Sequence, residues 1–232
     1  MFTEANTVEN FIRDLLAGKH PPKGFREVAT VPYGRDSIKL ASTGMGWHYI
    51  PSKDLPRAQN DVLVEPHVRE ALIHLNPEIA ARPDRADEVL YRLRAILLSV
   101  SGDGLVRANE EFSAWLRGER TMPFGPNNQH TPVRLLDLDD PANNRLVVTT
   151  QLTYKLGPER RFDLVLFANG IPLVVGEAKT PVRPAVTWVD GAAQVHDDYE
   201  ANVTRFFVPN VFSFATEGKA YRFGSIRMPL EL

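Results

Sequence analysis

Residues 160–181, RRFDLVLFANGIPLVVGEAKTP, contain the strongest indication of how this chain folds. Two apolar runs, LVLF and IPLVV, flank the pair Asn169-Gly170, and an Asn-Gly pair between apolar runs is the strongest short signal for a β-hairpin. Both runs are apolar on both faces, which is typical of central strands in a covered sheet. The stretch therefore predicts a hairpin at the centre of a sheet.

Charged side chains lie at one end of this hairpin. We expect Asp163 to begin the first strand, and Glu177 and Lys179 to end the second. Because strand side chains alternate between faces, Glu177 and Lys179 project from one face, and the hairpin brings Asp163 beside Glu177. An E-x-K triplet by itself is typical of a weak surface ion pair. Its place at the end of a central strand, opposite an aspartate, instead favours a metal-dependent nuclease site.

The chemistry of such a site follows from its residue types. The carboxylates of Asp163 and Glu177 would hold Mg²⁺, a hard cation that prefers oxygen ligands, with the backbone carbonyl of Ala178 as a further ligand. The metal would polarise the scissile phosphate. Lys179 would orient or help to deprotonate the attacking water.

Composition limits the function classes. The 232 residues include 27 basic and 29 acidic side chains, for a net charge of −2, so the chain does not hold nucleic acid by bulk positive charge. It contains no cysteine, which excludes disulfides, zinc ribbons, iron–sulfur clusters and a thiol nucleophile. It has neither a secretory signal peptide nor an apolar run of the roughly 18 residues that span a bilayer. We therefore expect a soluble, cytoplasmic protein without membrane contact.

Hydrophobic periodicity predicts an α/β architecture, in which a mixed central sheet is flanked by helices and preceded by a helical insertion. An amphipathic helix is expected over 7–16, loops with a short hairpin over 20–56, and a helical lobe over about 62–118. The lobe's helices are expected over 62–75, 86–100 and 109–116. We treat 1–232 as a single nuclease domain, with a catalytic core over about 132–224 plus the N-terminal helix. Beyond the lobe, strands are expected over 133–138, 145–156, 161–167, 171–179, 205–218 and 220–226, with a helix over 188–201.

The stretch 160–181 resembles the nuclease motif of the PD-(D/E)xK superfamily. More narrowly, it resembles the N-terminal nuclease domain of the restriction (R) subunit of type I restriction–modification enzymes, whose motif runs R-P-D-hydrophobic-F-x-N-G-x-P-L-x-x-x-E-x-K. Here Phe162 stands where the family has proline. Three further segments match in order: TEANT at 3–7, VREALIHLNPEI at 68–79 and DDPANNRLVVTTQ at 139–151. The resemblance implies a restriction-endonuclease-like core.

The resemblance also implies roles for single residues. Asp163 and Glu177 would be Mg²⁺ ligands, and Lys179 the catalytic lysine. Glu4 lies where the family has a carboxylate in its first helix, and Glu9 is the rival position. For each glutamate the alternative interpretation is an ordinary carboxylate in the first turn of a helix, where the helix dipole favours negative charge.

A glutamine motif follows the lysine in the family, usually as Q-x-x-x-Y. Gln194 matches the glutamine, but Tyr199 follows it by five residues rather than four. On a regular helix, with about 100° per residue, this step separates the two side chains by about 140°. The spacing therefore predicts that Gln194 and Tyr199 do not both face the site.

Contacts to DNA are also expected. Arg160 and Arg161, just before the aspartate, and Tyr199 are the candidate residues, with a solvated turn as the alternative reading of the two arginines.

The function expected from the resemblance is that of a Mg²⁺-dependent endonuclease domain that cuts double-stranded DNA. The chain contains no G-x-x-x-x-G-K-[ST] nucleotide-binding loop, so ATP would be used only by C-terminal translocase domains outside it. We therefore expect an N-terminal fragment of a larger subunit, which assembles with methylation and specificity subunits. Two alternatives remain: a docking or DNA-guiding module that does not cut, and a stand-alone resolvase or repair nuclease of the same superfamily.

Overall fold

The computed structural model describes residues 8–18, 30–33, 36–39, 45–180 and 186–229, with side chains in all of these ranges except 30–33 and 36–39. The strands are β1 (Thr30–Tyr33), β2 (Asp36–Lys39), β3 (His48–Tyr49), β4 (Thr121–Met122), β5 (Thr131–Pro132), β6 (Leu146–Lys155), β7 (Glu159–Ala168), β8 (Ile171–Ala178), β9 (Phe212–Thr216) and β10 (Tyr221–Gly224). The helices are α1 (Asn10–Ala17), α2 (Glu65–Leu75), α3 (Pro77–Ala80), α4 (Arg85–Asp103), α5 (Leu105–Leu116), α6 (Trp188–Ala193) and α7 (Glu200–Asn202), and a π-helical segment, Gln194–Tyr199, joins α6 to α7. Short 3₁₀ turns occupy Ser52–Asp54, Pro126–Asn128, Pro141–Asn143 and Thr204–Phe207.

A six-stranded mixed sheet forms the centre of the protein, in the order β10-β9-β8-β7-β6-β3. Strands β6, β7 and β8 form an antiparallel meander, β9 pairs parallel with β8, and β3 pairs parallel with β6. The predicted mixed sheet flanked by helices is therefore confirmed, and β7 and β8 are its two central strands.

The Asn169-Gly170 turn that joins β7 to β8 has the backbone conformation that the sequence predicted. Asn169 has φ 51° and Gly170 has φ 82°, as a two-residue hairpin turn of type I′ requires. Glycine is also needed for space, because a Cβ at position 170 would lie 2.5 Å from the carbonyl oxygen of Val64. The turn packs against the start of the helical lobe and sets the pairing of the strand residues next to it. A β-bulge between Leu166 and Phe167 then shifts the register by one residue along the rest of the hairpin.

Apolar side chains cover both faces of the sheet. Leu164 and Val174 belong to a smaller cluster that packs around α1, whereas their neighbours Val165 and Val175 belong to a larger cluster shared with the lobe. Because successive strand residues point to opposite faces, the two clusters lie on the two sides of the sheet. Burial on both sides fixes the register of the strands, since a one-residue slip would exchange the faces.

Several predicted elements match the structure closely. The helices expected over 62–75, 86–100 and 109–116 correspond to α2, α4 and α5, and the hairpin expected within 20–56 is the β1–β2 pair. Asp163, however, is the fifth residue of β7 and not its first, because the strand begins at Glu159.

One predicted strand is wrong, and another is shorter than expected. Residues 133–138 are not a strand, because the Asn76 side chain takes the place of a strand partner: it donates to the Arg134 carbonyl at 2.9 Å and accepts from the Arg134 N–H at 2.8 Å. The first part of 205–218 forms a 3₁₀ turn whose Phe206 and Phe207 are buried, and the strand begins only at Phe212. Apolar runs this short do not distinguish strands from buried turns.

No helix in the described part of the chain combines the length and the apolar character that crossing a membrane requires.

Candidate active site

Asp163 and Glu177 lie opposite one another on the two central strands. They are one step beyond the paired residues Leu164 and Gly176, and both are buried, with 9% and 3% of their surface exposed. Helix α6 covers Glu177 closely through Gly191, where a Cβ would lie 3.3 Å from the Glu177 Cγ. The hairpin therefore brings two carboxyl groups together away from bulk water.

Neutral donors orient the Asp163 carboxylate. Its Oδ2 accepts a hydrogen bond from the backbone N–H of Ala178 at 2.9 Å, and its Oδ1 accepts one from the side-chain amide of Gln151 at 3.1 Å. With both oxygens held, the carboxylate plane is fixed, and each oxygen keeps a second lone pair for another ligand.

Lys179 lies beside Glu177, as the alternation of strand side chains predicted. Its ammonium donates to Glu177 Oε1 at 2.8 Å and to Gln194 Oε1 at 2.6 Å. Its backbone N–H donates to the Thr216 carbonyl at 2.8 Å, which holds the residue against β9. The lysine is thus fixed at both its backbone and its side chain.

The burial of the two acidic groups changes their protonation. Burial raises the pKa of Asp163, although the hydrogen bonds from Ala178 and Gln151 and the charge of Lys179 oppose the rise. Burial and the neighbouring Asp163 charge raise the pKa of Glu177 to about 8, against the opposing effect of Lys179. Two such carboxyls do not both ionise readily at neutral pH unless a cation joins them.

Gln194 and Tyr199 both face this site, so the prediction that they would not is wrong. Gln194 Nε2 donates to the Tyr199 hydroxyl, which lies 3.2 Å from Glu177 Oε2 and 3.1 Å from the Arg161 carbonyl. The helix between them is a π-helix, whose i→i+5 hydrogen bonding brings residues five apart onto one face. Tyr199 is 2% exposed, so it is not available for the DNA contact expected of it.

Glu9 and Gln151 extend the site toward the start of α1. Glu9 is 2% exposed, and its Oε2 accepts from Gln151 Nε2 at 2.7 Å, while Glu4 lies outside the described residues. Gln151 is not among the site residues predicted from the sequence. The sequence feature that could have indicated it is its position at the end of the 139–151 segment, which resembles the family.

Comparison with known proteins identifies the family. Residues 35–231 match the family described as Type I restriction enzyme R protein N terminus. The chain belongs to this family. Over 195 residues it is 32% identical to the Type I restriction enzyme HindI endonuclease subunit of Haemophilus influenzae (strain ATCC 51907 / DSM 11121 / KW20 / Rd), an alignment that covers 78% of this chain and 18% of that protein.

The match to the type I R protein N terminus includes most of the site. Its range contains the residues that converge here from β6, β7, β8 and the π-helical segment: Gln151, Asp163, Glu177, Lys179, Gln194 and Tyr199. It begins after α1 and therefore leaves out Glu9. The chain spans less than a fifth of the length of the H. influenzae relative, since it covers 18% of it.

The two arginines before Asp163 differ in their surroundings. Arg160 forms an ion pair with Asp198, in which its Nε lies 2.9 Å from Oδ2 and its Nη2 lies 2.6 Å from Oδ1. The Arg161 side chain is exposed, while its carbonyl oxygen lies against the Tyr199 hydroxyl. Arg161 is therefore the better placed of the two to meet a phosphate.

The donor set at the Asp163–Glu177 pair fits Mg²⁺. Within the ranges described, no group of three or more histidine, aspartate or glutamate side chains converges as a metal site. A pair of neighbouring carboxylates suits an ion that keeps several of its own waters, which is how Mg²⁺ is usually bound. The raised pKa of Glu177 supports this fit, since a divalent cation would relieve the repulsion between the two carboxylates.

Proposed function

We propose that this chain is the nuclease unit of a type I restriction enzyme R subunit, and that it hydrolyses phosphodiester bonds of double-stranded DNA with Mg²⁺ as cofactor. One observation carries the proposal. The buried carboxyls of Asp163 and Glu177 lie side by side on central strands, with the Lys179 ammonium 2.8 Å from Glu177. This is the set of groups that a PD-(D/E)xK nuclease requires.

Each residue has a task in this reaction. Asp163, Glu177 and the Ala178 carbonyl would hold Mg²⁺, which when bound polarises the scissile phosphate and stabilises the leaving oxygen. Lys179 orients the attacking water and offsets the negative charge that develops on the phosphate. Gln194 holds the lysine ammonium at 2.6 Å, and Tyr199 holds the far oxygen of Glu177 at 3.2 Å.

The remaining parts of the proposed enzyme lie outside this chain. We assign ATP-driven translocation to the rest of the subunit, and recognition and methylation of the target sequence to separate subunits. The net charge of −2 agrees with this division, because a unit delivered to DNA by partners needs no strongly basic surface of its own.

Calorimetric titration of the wild-type chain with Mn²⁺ or Mg²⁺ tests the metal site. We expect one saturable site, which Asp163→Asn and Glu177→Gln each abolish. The matched control is Glu159→Gln, since Glu159 lies on the same strand as Asp163 and is exposed. Wild-type binding that is weak and unsaturable, or that survives both substitutions, would contradict the assignment.

Cleavage by the assembled ATP-driven enzyme tests the lysine. Lys179→Met should retain the metal site and lose cleavage by at least about 100-fold, the range typical of a lost general acid–base group. Lys155→Met is the control, because Lys155 is exposed at the end of β6. Normal cleavage by the Lys179 variant would show that the assignment of this site is wrong.

A further inference from the structure

Gln151 joins two carboxylates that are far apart in the sequence. Its amide nitrogen lies 2.7 Å from Glu9 Oε2, at the start of α1, and 3.1 Å from Asp163 Oδ1, on β7. An amide group carries two N–H donors on that nitrogen, so each carboxylate can receive one of them. The donors of this side chain are thus both used within the candidate active site.

The backbone of Gln151 is strained at this point. Its φ of 54° lies in the left-handed region, in the interior of the ten-residue strand β6. A non-glycine residue held in this region is under backbone strain, and it persists where the surroundings require it. The ladder continues on either side, through Thr150 with Leu164 and Leu152 with Phe162, so the distortion is confined to the residue that faces Asp163.

The neutral charge of the amide suits a residue that holds a metal ligand. Asp163 receives hydrogen bonds from two neutral groups, the Ala178 N–H and the Gln151 amide. Both fix the carboxylate without cancelling its charge. A lysine at position 151 could reach the same oxygens, but its ammonium would neutralise the carboxylates and so compete with the metal ion.

We infer that Gln151 is a positioning residue, which orients the Asp163 carboxylate toward the metal and ties it to Glu9 without neutralising it. This inference rests on the proposed function. It makes the start of α1 part of the active site, since the amide couples Glu9, the residue just before that helix, to the metal ligand on the central strand.

Three variants test the role of Gln151 in metal binding, with Mn²⁺ as the probe. Gln151→Lys keeps a donor but adds charge, and Gln151→Gly removes the amide while tolerating the positive φ. We expect both to lower the Mn²⁺ affinity of the full chain by about 10-fold or more, the usual effect of losing a group that orients a metal ligand. Gln129→Lys is the matched control, because Gln129 is exposed on the loop before β5.

Metal-free thermal unfolding separates positioning from a purely structural role. Gln151→Lys should unfold at or above the wild-type temperature yet bind Mn²⁺ poorly, a combination that loss of packing does not produce. Wild-type Mn²⁺ affinity in either folded Gln151 variant overturns the inference, and Gln151→Gly decides alone if the lysine variant does not fold. If Asp163→Asn abolishes the site while both Gln151 variants keep it, only this inference fails. If the wild-type chain has no saturable site, both the inference about Gln151 and the proposed function fail.

Discussion

Gln194 and Tyr199 hydrogen-bond to each other although they are five positions apart in the sequence. A regular helix would place them about 140° apart. Gln194 and Tyr199 are the first and last residues of a π-helical segment, which removes this separation. The Gln194 amide therefore reaches Lys179, and the Tyr199 hydroxyl reaches Glu177, from the same helix face. The extra residue, relative to a four-residue spacing, is absorbed by the backbone and does not displace either side chain from the site.

Deletion of His196 should therefore be tolerated. This residue is within the π-helical segment, and its removal would restore a four-residue spacing on a regular α-helix with both side chains still facing the site. We expect the deletion to fold, with a loss of unfolding free energy below about 3 kcal/mol, and to keep its Mn²⁺ site. Urea unfolding and calorimetry provide the two measurements.

The control for this deletion is removal of Arg92, which is exposed in the regular helix α4. That deletion would rotate the following turn by about 100° and carry buried Leu93 and Leu97 off the core face, so it should unfold the lobe. If the His196 variant behaves like the Arg92 variant, the π-helix does not act as an absorbed insertion.

Without metal, the stability of the fold should fall as the pH rises. The pKa of Glu177 is raised to about 8 in the folded chain, so between its ordinary value and pH 8 the folded state holds a proton that the unfolded state releases. Each pKa unit corresponds to about 1.4 kcal/mol, so the loss should reach a few kcal/mol across this window.

Urea unfolding in EDTA from pH 5 to pH 9 measures this loss. Glu177→Gln, which does not titrate, should remove most of the slope and be more stable than the wild type at pH 9. Glu159→Gln, exposed at the start of β7, should keep the wild-type slope. Parallel curves for the wild type and Glu177→Gln would show that Glu177 is not the titrating group.

Metal binding should release a proton at neutral pH. A carboxyl whose pKa is about 8 must lose its proton before it can hold Mg²⁺, so the apparent affinity should rise with pH up to about 8. Titration at pH 7 in buffers of different ionisation enthalpy should give close to one proton released per ion bound. An affinity that stays constant between pH 6 and pH 8 would be inconsistent with Glu177 as a ligand.

Arg161 should contribute more to DNA binding than Arg160 does. The Arg160 guanidinium is already held by Asp198, whereas the Arg161 side chain is exposed beside the site. Arg161→Ala should weaken binding to duplexes of any sequence and lower the salt dependence by about one unit. Arg160→Ala should mainly cost stability, by less than about 1 kcal/mol, as exposed ion pairs do. Fluorescence anisotropy at several salt concentrations compares them, and equal salt slopes would refute the distinction.

Local patterns were sufficient to predict the hairpin and its charged end. The Asn169-Gly170 pair, the apolar runs around it and the alternation of Glu177 with Lys179 are short-range features, and the structure agrees with each. The strand expected over 133–138 failed because its hydrogen-bond partner is a side chain, that of Asn76, which is distant in the sequence. Sequence periodicity carries no information about such a partner.

The central strands and the candidate residues Asp163, Glu177 and Lys179 could be predicted from the sequence, because strand alternation and turn chemistry act between near neighbours. The three-dimensional fold was needed to show that Asp163 lies opposite Glu177, since this pairing depends on the β-bulge between Leu166 and Phe167. The fold was also needed to place Glu9 and Gln151 beside them, since their contact links residues 142 positions apart. It also decided that Gln194 and Tyr199 share one face, because packing against the site selects a π-helix over the α-helix that residue spacing assumes. Long-range packing thus adds residues to a site whose two carboxyl groups and lysine lie on one hairpin.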